Sequence, residues 1–140
     1  MINIEKYFSN MEVSVIDATV KQAELFLLEL GSFYPFGTIL TNLEEIKPVS
    51  GYLGDDRPEH NDMIDFLHNV FEEKVKTGTC RFAVICVDIV VNQTVHNQVI
   101  KKDALELKVL NKNMKWKNYF IPYILTNDRL ITFSEIGTLS

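Results

Sequence analysis

Apolar positions recur at two different spacings along the chain, and the alternation between those spacings lays out its elements. Between Ser9 and Gly31, the residues Val13, Ile16, Val20, Ala23, Phe26, Leu27 and Leu30 fall three or four apart, which predicts a helix with one face turned to a core. Ser9 and Glu12 open it as a capping box: the serine accepts from the Glu12 amide and the glutamate reaches back, while Gly31 closes the helix. Leu25 and Leu28 widen the stripe and predict deep burial at its C-terminal end. A second helix is predicted from Met63, Ile64, Leu67, Val70, Phe71 and Val75, with Asp56 as N-cap, Pro58 in the first turn, Glu59 completing a box and Gly78 at the end.

The remaining segments read as strands. An aromatic turn, Phe33-Tyr34-Pro35-Phe36-Gly37, leads into residues 38–41, a polar break at 42–45 and a second run at 46–52. This predicts a β-hairpin whose second strand is bulged or at a sheet edge, because Pro48 cannot donate to a ladder. The run that opens on Cys80 and ends on Val91 is apolar on both parities and rich in β-branched residues, as a strand buried on both faces would be. Residues 92–97 are polar and read as a loop. In 99–110, Leu105, Leu107 and Val109 alternate with Lys102, Glu106 and Lys108; a further strand at 115–125 follows the turn Asn111-Lys112-Asn113, and 130–134 adds a short edge. The order is α-β-β-α-β-β-β. It predicts a single α+β domain over residues 1–140, with a five- to six-stranded antiparallel sheet and both helices on one face.

That order resembles the profilin-like and roadblock-type domains. The resemblance implies that the strand after the second helix lies at a sheet edge, and a symmetric homodimer through Cys80 to Val91 would cover it. Three short strings, Phe33-Tyr34-Pro35-Phe36-Gly37, Lys102-Asp103-Ala104 and Pro122-Tyr123, resemble those of a group of small bacterial proteins without assigned function. The general appearance is also similar to immunity proteins, which neutralise a bacterial toxin by binding it.

Composition places the chain among ordinary globular proteins, with 46% hydrophobic and 24% charged residues over 140 positions. No basic stretch precedes an apolar h-region and no window nears 18 uninterrupted apolar residues, so neither export nor membrane insertion is expected. Cys80 and Cys86, six apart in one strand, would stand about 20 Å from each other, too far for a disulfide; reduced thiols fit a cytoplasmic location. The net charge of −5 is uneven: residues 1–75 carry 14 acids and 5 bases, whereas residues 76–140 carry 5 acids and 9 bases. Such a bipolar field can steer a basic partner or favour self-association.

Asp88 is the foremost polar candidate, because a carboxylate near the end of so apolar a strand needs a partner or a shifted pKa. Pairing residues 80–91 with 99–110 sets Asp88 opposite Lys101 in one register and opposite Asp103 in the next. The ion pair is favoured, since opposed like charges destabilise a sheet; the carboxylate pair would mark a site able to share a proton. His60 and His68 lie on the second helix without the spacing of a metal-binding pair, His96 sits in a polar loop, and neither cysteine has a histidine beside it in sequence. No Gly-x-Ser-x-Gly, phosphate loop or Cys-x-x-Cys occurs, so no catalytic residue, metal site or cofactor is implied. The lysines at 101, 102, 108, 112, 115 and 117, with Trp116 and Tyr119, are interleaved with acids and coat a sheet; with pI near 5.2, nucleic-acid binding is not expected.

The leading expectation is therefore a non-catalytic protein-binding module of the immunity type, whose acidic segment, Asp55, Asp56, Glu59, Asp62 and Asp65, meets a basic partner, with Phe33, Tyr34 and Phe36 as aromatic anchors. The competing expectations are a small-ligand sensor or weak enzyme with a pocket near Asp88 and Asp103, and a structural homodimerisation domain.

Overall fold

The computed structural model describes residues 3–50 and 59–138. Its order is α1 (Asn10–Leu30), β1 (Phe36–Thr41), β2 (Ile46–Ser50), α2 (His60–Lys76), β3 (Cys80–Val95), β4 (Gln98–Asn111), β5 (Trp116–Leu125) and β6 (Ile131–Phe133). The strands form one antiparallel six-stranded sheet in the order β2-β1-β3-β4-β5-β6, so the fold is α+β. Among the described residues, no helix is long and apolar enough to cross a membrane.

Helix α1 begins as its sequence dictates. The Glu12 amide donates to Ser9 Oγ at 3.5 Å, the Ser9 amide donates to Glu12 Oε1 at 3.0 Å, and Gly31 ends the helix in the left-handed conformation with its amide on the Leu27 carbonyl. Its C-terminal end is shallower than the stripe predicts. Leu27 is buried but Leu25 is 53% exposed, because only one helix face meets the sheet. Helix α2 starts later than Asp56: Glu59 occupies the N-cap position and makes no side-chain cap bond, and Asp56 and Pro58 lie outside the described residues.

The helices lie on opposite faces of the sheet rather than together on one. Phe82, Val84 and Cys86 of β3 pack with Val15, Ile16, Val20, Ala23 and Leu27 of α1, whereas Ala83, Ile85 and Val87 pack with Leu67, Phe71 and Val75 of α2. The two-sided apolarity of β3 requires this arrangement, since both helices on one face would leave a row of β-branched side chains in water. β1 shows the same division at adjacent residues. Thr38 reaches Thr19 of α1, while a Cβ on Gly37 would collide with the Phe71 ring of α2. The Thr19 and Thr38 hydroxyls are buried 2.9 Å apart, and Thr19 Oγ1 is 2.8 Å from the Val15 carbonyl. A hydroxyl has one proton, so the Thr19 hydroxyl divides its own between two acceptors, the Val15 carbonyl and Thr38 Oγ1.

β2 is an edge strand, with Pro48 opposite Thr38. β3 is not: over residues 82–86 it lies between β1 and β4, because β1 inserts beside it and displaces the edge position implied by profilin-like order. The polar stretch at 92–97 is also not a loop. β3 and β4 run on to a two-residue turn, His96-Asn97, both with positive φ (50° and 64°), the geometry of a type I′ hairpin. Asparagine tolerates that conformation and the flanking polar residues simply coat an exposed ribbon. The ribbon outruns its neighbours: β1 pairs with β3 only up to Cys86, and β5 with β4 only from Ala104.

Candidate functional site

The register set by the His96-Asn97 turn decides what Asp88 meets. It pairs Asp88 with Leu105, Asn92 with Lys101 and Val90 with Asp103, so Asp88 faces neither the lysine nor the aspartate across the ladder. The expected Asp88–Lys101 ion pair is therefore absent. The partner is Tyr123 on β5, whose hydroxyl donates to Asp88 Oδ1 at 2.7 Å. β5 brings it there by continuing the alternation of Tyr119 and Ile121 on the α1 face. Burial raises the Asp88 pKa, the Tyr123 hydrogen bond pulls it back, the Asp103 charge adds to the rise and His60 opposes it. The same burial, together with the bond to Asp88, pushes the Tyr123 phenol well above its usual range.

Asp88 lies two residues beyond the point where β1 begins, at Phe36 opposite Cys86. Beside it the strand gives way to the aromatic turn, and a cleft of about 570 Å³ opens among Phe26, Leu30, Phe33, Tyr34, Pro35, Phe36, His60, Met63 and Asp88, with Ser32 and Ser50 at its rim. Phe26, Phe33 and Phe36 form a ring cluster with centroids 5.3–5.9 Å apart, anchoring the inner wall in the α1-side core. Tyr34 turns outward, 46% exposed, and meets the His60 imidazole edge-on at 5.3 Å. The aromatic turn is thus both a core plug and a wall. Among the described residues no lysine or arginine forms an ion pair with Asp88.

The polar groups of the cleft stand apart from one another. Among the described residues, no hydrogen bond joins Ser32 or Ser50 to His60, or His60 to Asp88. Cys86 lies nearby in sequence but is fully buried, and burial raises its pKa well above normal, which leaves the thiol inert.

Of the acidic segment, Glu59, Asp62 and Asp65 are exposed on the N-terminal part of α2, next to His60 and Met63 of the cleft; Asp55 and Asp56 lie outside the described residues. Asp103 is exposed on the ribbon and acts on Asp88 and Tyr123 through charge alone. His68 takes Glu72 as its carboxylate partner (3.5 Å) and stacks on Trp116 at 4.2 Å, while the Trp116 indole donates to Glu72 at 3.0 Å. The lysines do not form one patch: Lys108 pairs with Glu106, Lys117 lies over Tyr119, and Lys101 and Lys102 point to opposite faces of the ribbon.

Sequence reasoning missed Tyr123, His60 and Met63 as members of the site. One signal for Tyr123 was at hand. The three short strings converge at one end of the sheet, with Ala104 paired to Pro122, Tyr123 bonded to Asp88 and Phe36 opposite Cys86. No family model, no curated protein and no solved structure matches the chain.

Proposed function

We propose that this protein is a non-catalytic, cytoplasmic binding module that takes a cationic, amphipathic group of a basic partner protein into the aromatic cleft. The observation that carries this reading is Asp88: a half-buried carboxylate in an apolar aromatic wall, held by one phenol, its remaining acceptor sites able to receive an ammonium or guanidinium donor. An apolar stem would lie against Phe33, Phe36 and Met63, and Tyr34 offers a ring face to the cation. Glu59, Asp62 and Asp65 at the rim would draw a basic surface toward the cleft and speed its approach. Neutralisation of a basic toxin by an immunity-type protein is the setting that fits best. Two free, buried thiols accord with a reducing compartment.

A second reading keeps the same cleft for a free small amine, and its volume favours that reading because it falls in the usual range for small-molecule sites, about 300–1,000 Å³. Amide NMR titrations with phenethylammonium, phenylpropionate and a Lys-Phe peptide test both. Shifts at Tyr34, His60 and Asp88 with either cation but not with the anion, lost in D88N, support cation capture. A peptide that binds more tightly than the amine favours the protein partner. Equal response to the anion, or none to either cation, overturns the proposal.

A further inference from the structure

The β3–β4 ribbon has two free edges, and they are built differently. Beyond the reach of β5, the outer edge of β4 carries Lys101, Lys102 and Asp103, the charges that keep an edge from pairing with another chain. Among the described residues, the opposite edge, residues 87–95 of β3, has no strand beside it. Its sequence, Val-Asp-Ile-Val-Val-Asn-Gln-Thr-Val, contains no lysine, proline or glycine, and its single charge, Asp88, is turned to Tyr123. Such a strand is a template for pairing. A two-stranded ribbon is also marginal by itself in water, so a third strand stabilises it.

We propose that a second copy of this chain supplies that strand, by antiparallel pairing of residues 87–95 with themselves about a twofold axis at Val91. The segment is complementary to itself. Val87 meets Val95, Asp88 meets Thr94, Ile89 meets Gln93, Val90 meets Asn92 and Val91 meets Val91, so no like charges oppose each other, and the Asp88 carboxylate stays turned to Tyr123 and the cleft. Val90, 58% exposed, becomes covered, and the two sheets join into one of twelve strands. This dimer uses the part of β3 that β1 leaves open and not the buried stretch before Cys86.

A disulfide trap decides the matter. Residues directly opposite in an antiparallel pair have Cα atoms about 4.5–5.5 Å apart, within disulfide reach, so V91C on the axis should bridge two copies. V99C, on the lysine-guarded strand at a site 68% exposed, is the control. Under mild oxidation of the full, folded chain, V91C is expected to give covalent dimer at least about tenfold faster than V99C, as the axis brings only the former within bonding distance. Adding V90K and N92K to V91C places lysine opposite lysine and should abolish the cross-link; circular dichroism verifies that each variant keeps its fold. Equal cross-linking of V91C and V99C, or cross-linking that survives the two lysines, overturns the proposal.

Discussion

Replacing Gly37 with alanine tests the packing that holds α2 to the sheet. A Cβ at this position would collide with Cζ of Phe71, lie 2.6 Å from its Cε2 and lie 3.1 Å from the Val84 carbonyl oxygen. The ring cannot swing away freely because Phe71 is fully buried, and the carbonyl belongs to β3, which is paired on both sides at Val84. Overpacking of this kind costs about 1–3 kcal/mol, offset by about 0.4–1 kcal/mol because alanine loses less backbone freedom on folding than glycine. A net loss of about 1.5 kcal/mol is expected. With an unfolding entropy of about 2.1 cal/mol/K per residue, that corresponds to a fall in Tm of about 5 °C for a chain of this size. Shortening the ring should relieve the clash, so in a double-mutant cycle G37A and F71L together are expected to cost less than the sum of each alone, by about 1 kcal/mol. Thermal melts and urea titrations of the four proteins measure all of these quantities. A G37A protein as stable as the parent, or a cycle that is additive, would refute the packing of Phe71 on the β1 backbone.

Two further outcomes follow from the polar groups. Burial raises the folded-state pKa of Asp88 above its ordinary 3.8, so the folded protein holds this proton more tightly than the unfolded chain, and ionising Asp88 weakens the fold. As pH falls from above the raised value toward 3.8, the stability of the parent should rise relative to D88N; a difference in Tm that stays flat or runs the other way would contradict this. The two buried threonines should respond unequally. T19V strands the Thr38 hydroxyl and should cost about 1–2 kcal/mol, whereas T38V leaves Thr19 bonded to the Val15 carbonyl and should cost under about 1 kcal/mol, so equal losses would contradict the second partner of Thr19.

The features legible in the sequence are those that local chemistry settles. The Ser9–Glu12 box, Gly31, the stripe of α1 up to Leu27, Pro48 on an edge strand and the two-sided burial of β3 up to Val87 each act within a few residues and stand where they were expected, whereas Leu30 and Val90, read as buried, are exposed. What was not legible depends on pairing. The sum of paired residue numbers across β3 and β4 hangs on which two residues take positive φ, and His96-Asn97 does not announce this as Asn-Gly would. One residue of slip would have turned Asp88 away from Tyr123. The placement of the helices could have been read. β3 was apolar on both parities, which calls for cover on both faces, and element order alone obscured that requirement. The cleft was legible only in parts: Phe33, Tyr34, Phe36 and Asp88 stood out separately, but their meeting depends on where β1 starts beside β3 and on where α2 begins, and the latter also recruits His60 and Met63.

The division of the interior by β3 gives the chain a built-in pair of reporters. Cys86 lies in the half of the interior under α1, and Cys80, past the irregularity where β1 steps out of register at Leu40 and Thr41, lies in the half under α2. Both thiols are buried, and burial raises the pKa of each, so a thiol reagent reaches each when its own half opens. Labelling rates of the two sulfurs therefore measure the openings of the two hemispheres separately, without any engineered probe. Equal rates would mean that the hemispheres breathe as one cooperative body, and a faster Cys80 would mean that α2 lifts from the sheet while the opposite side stays closed.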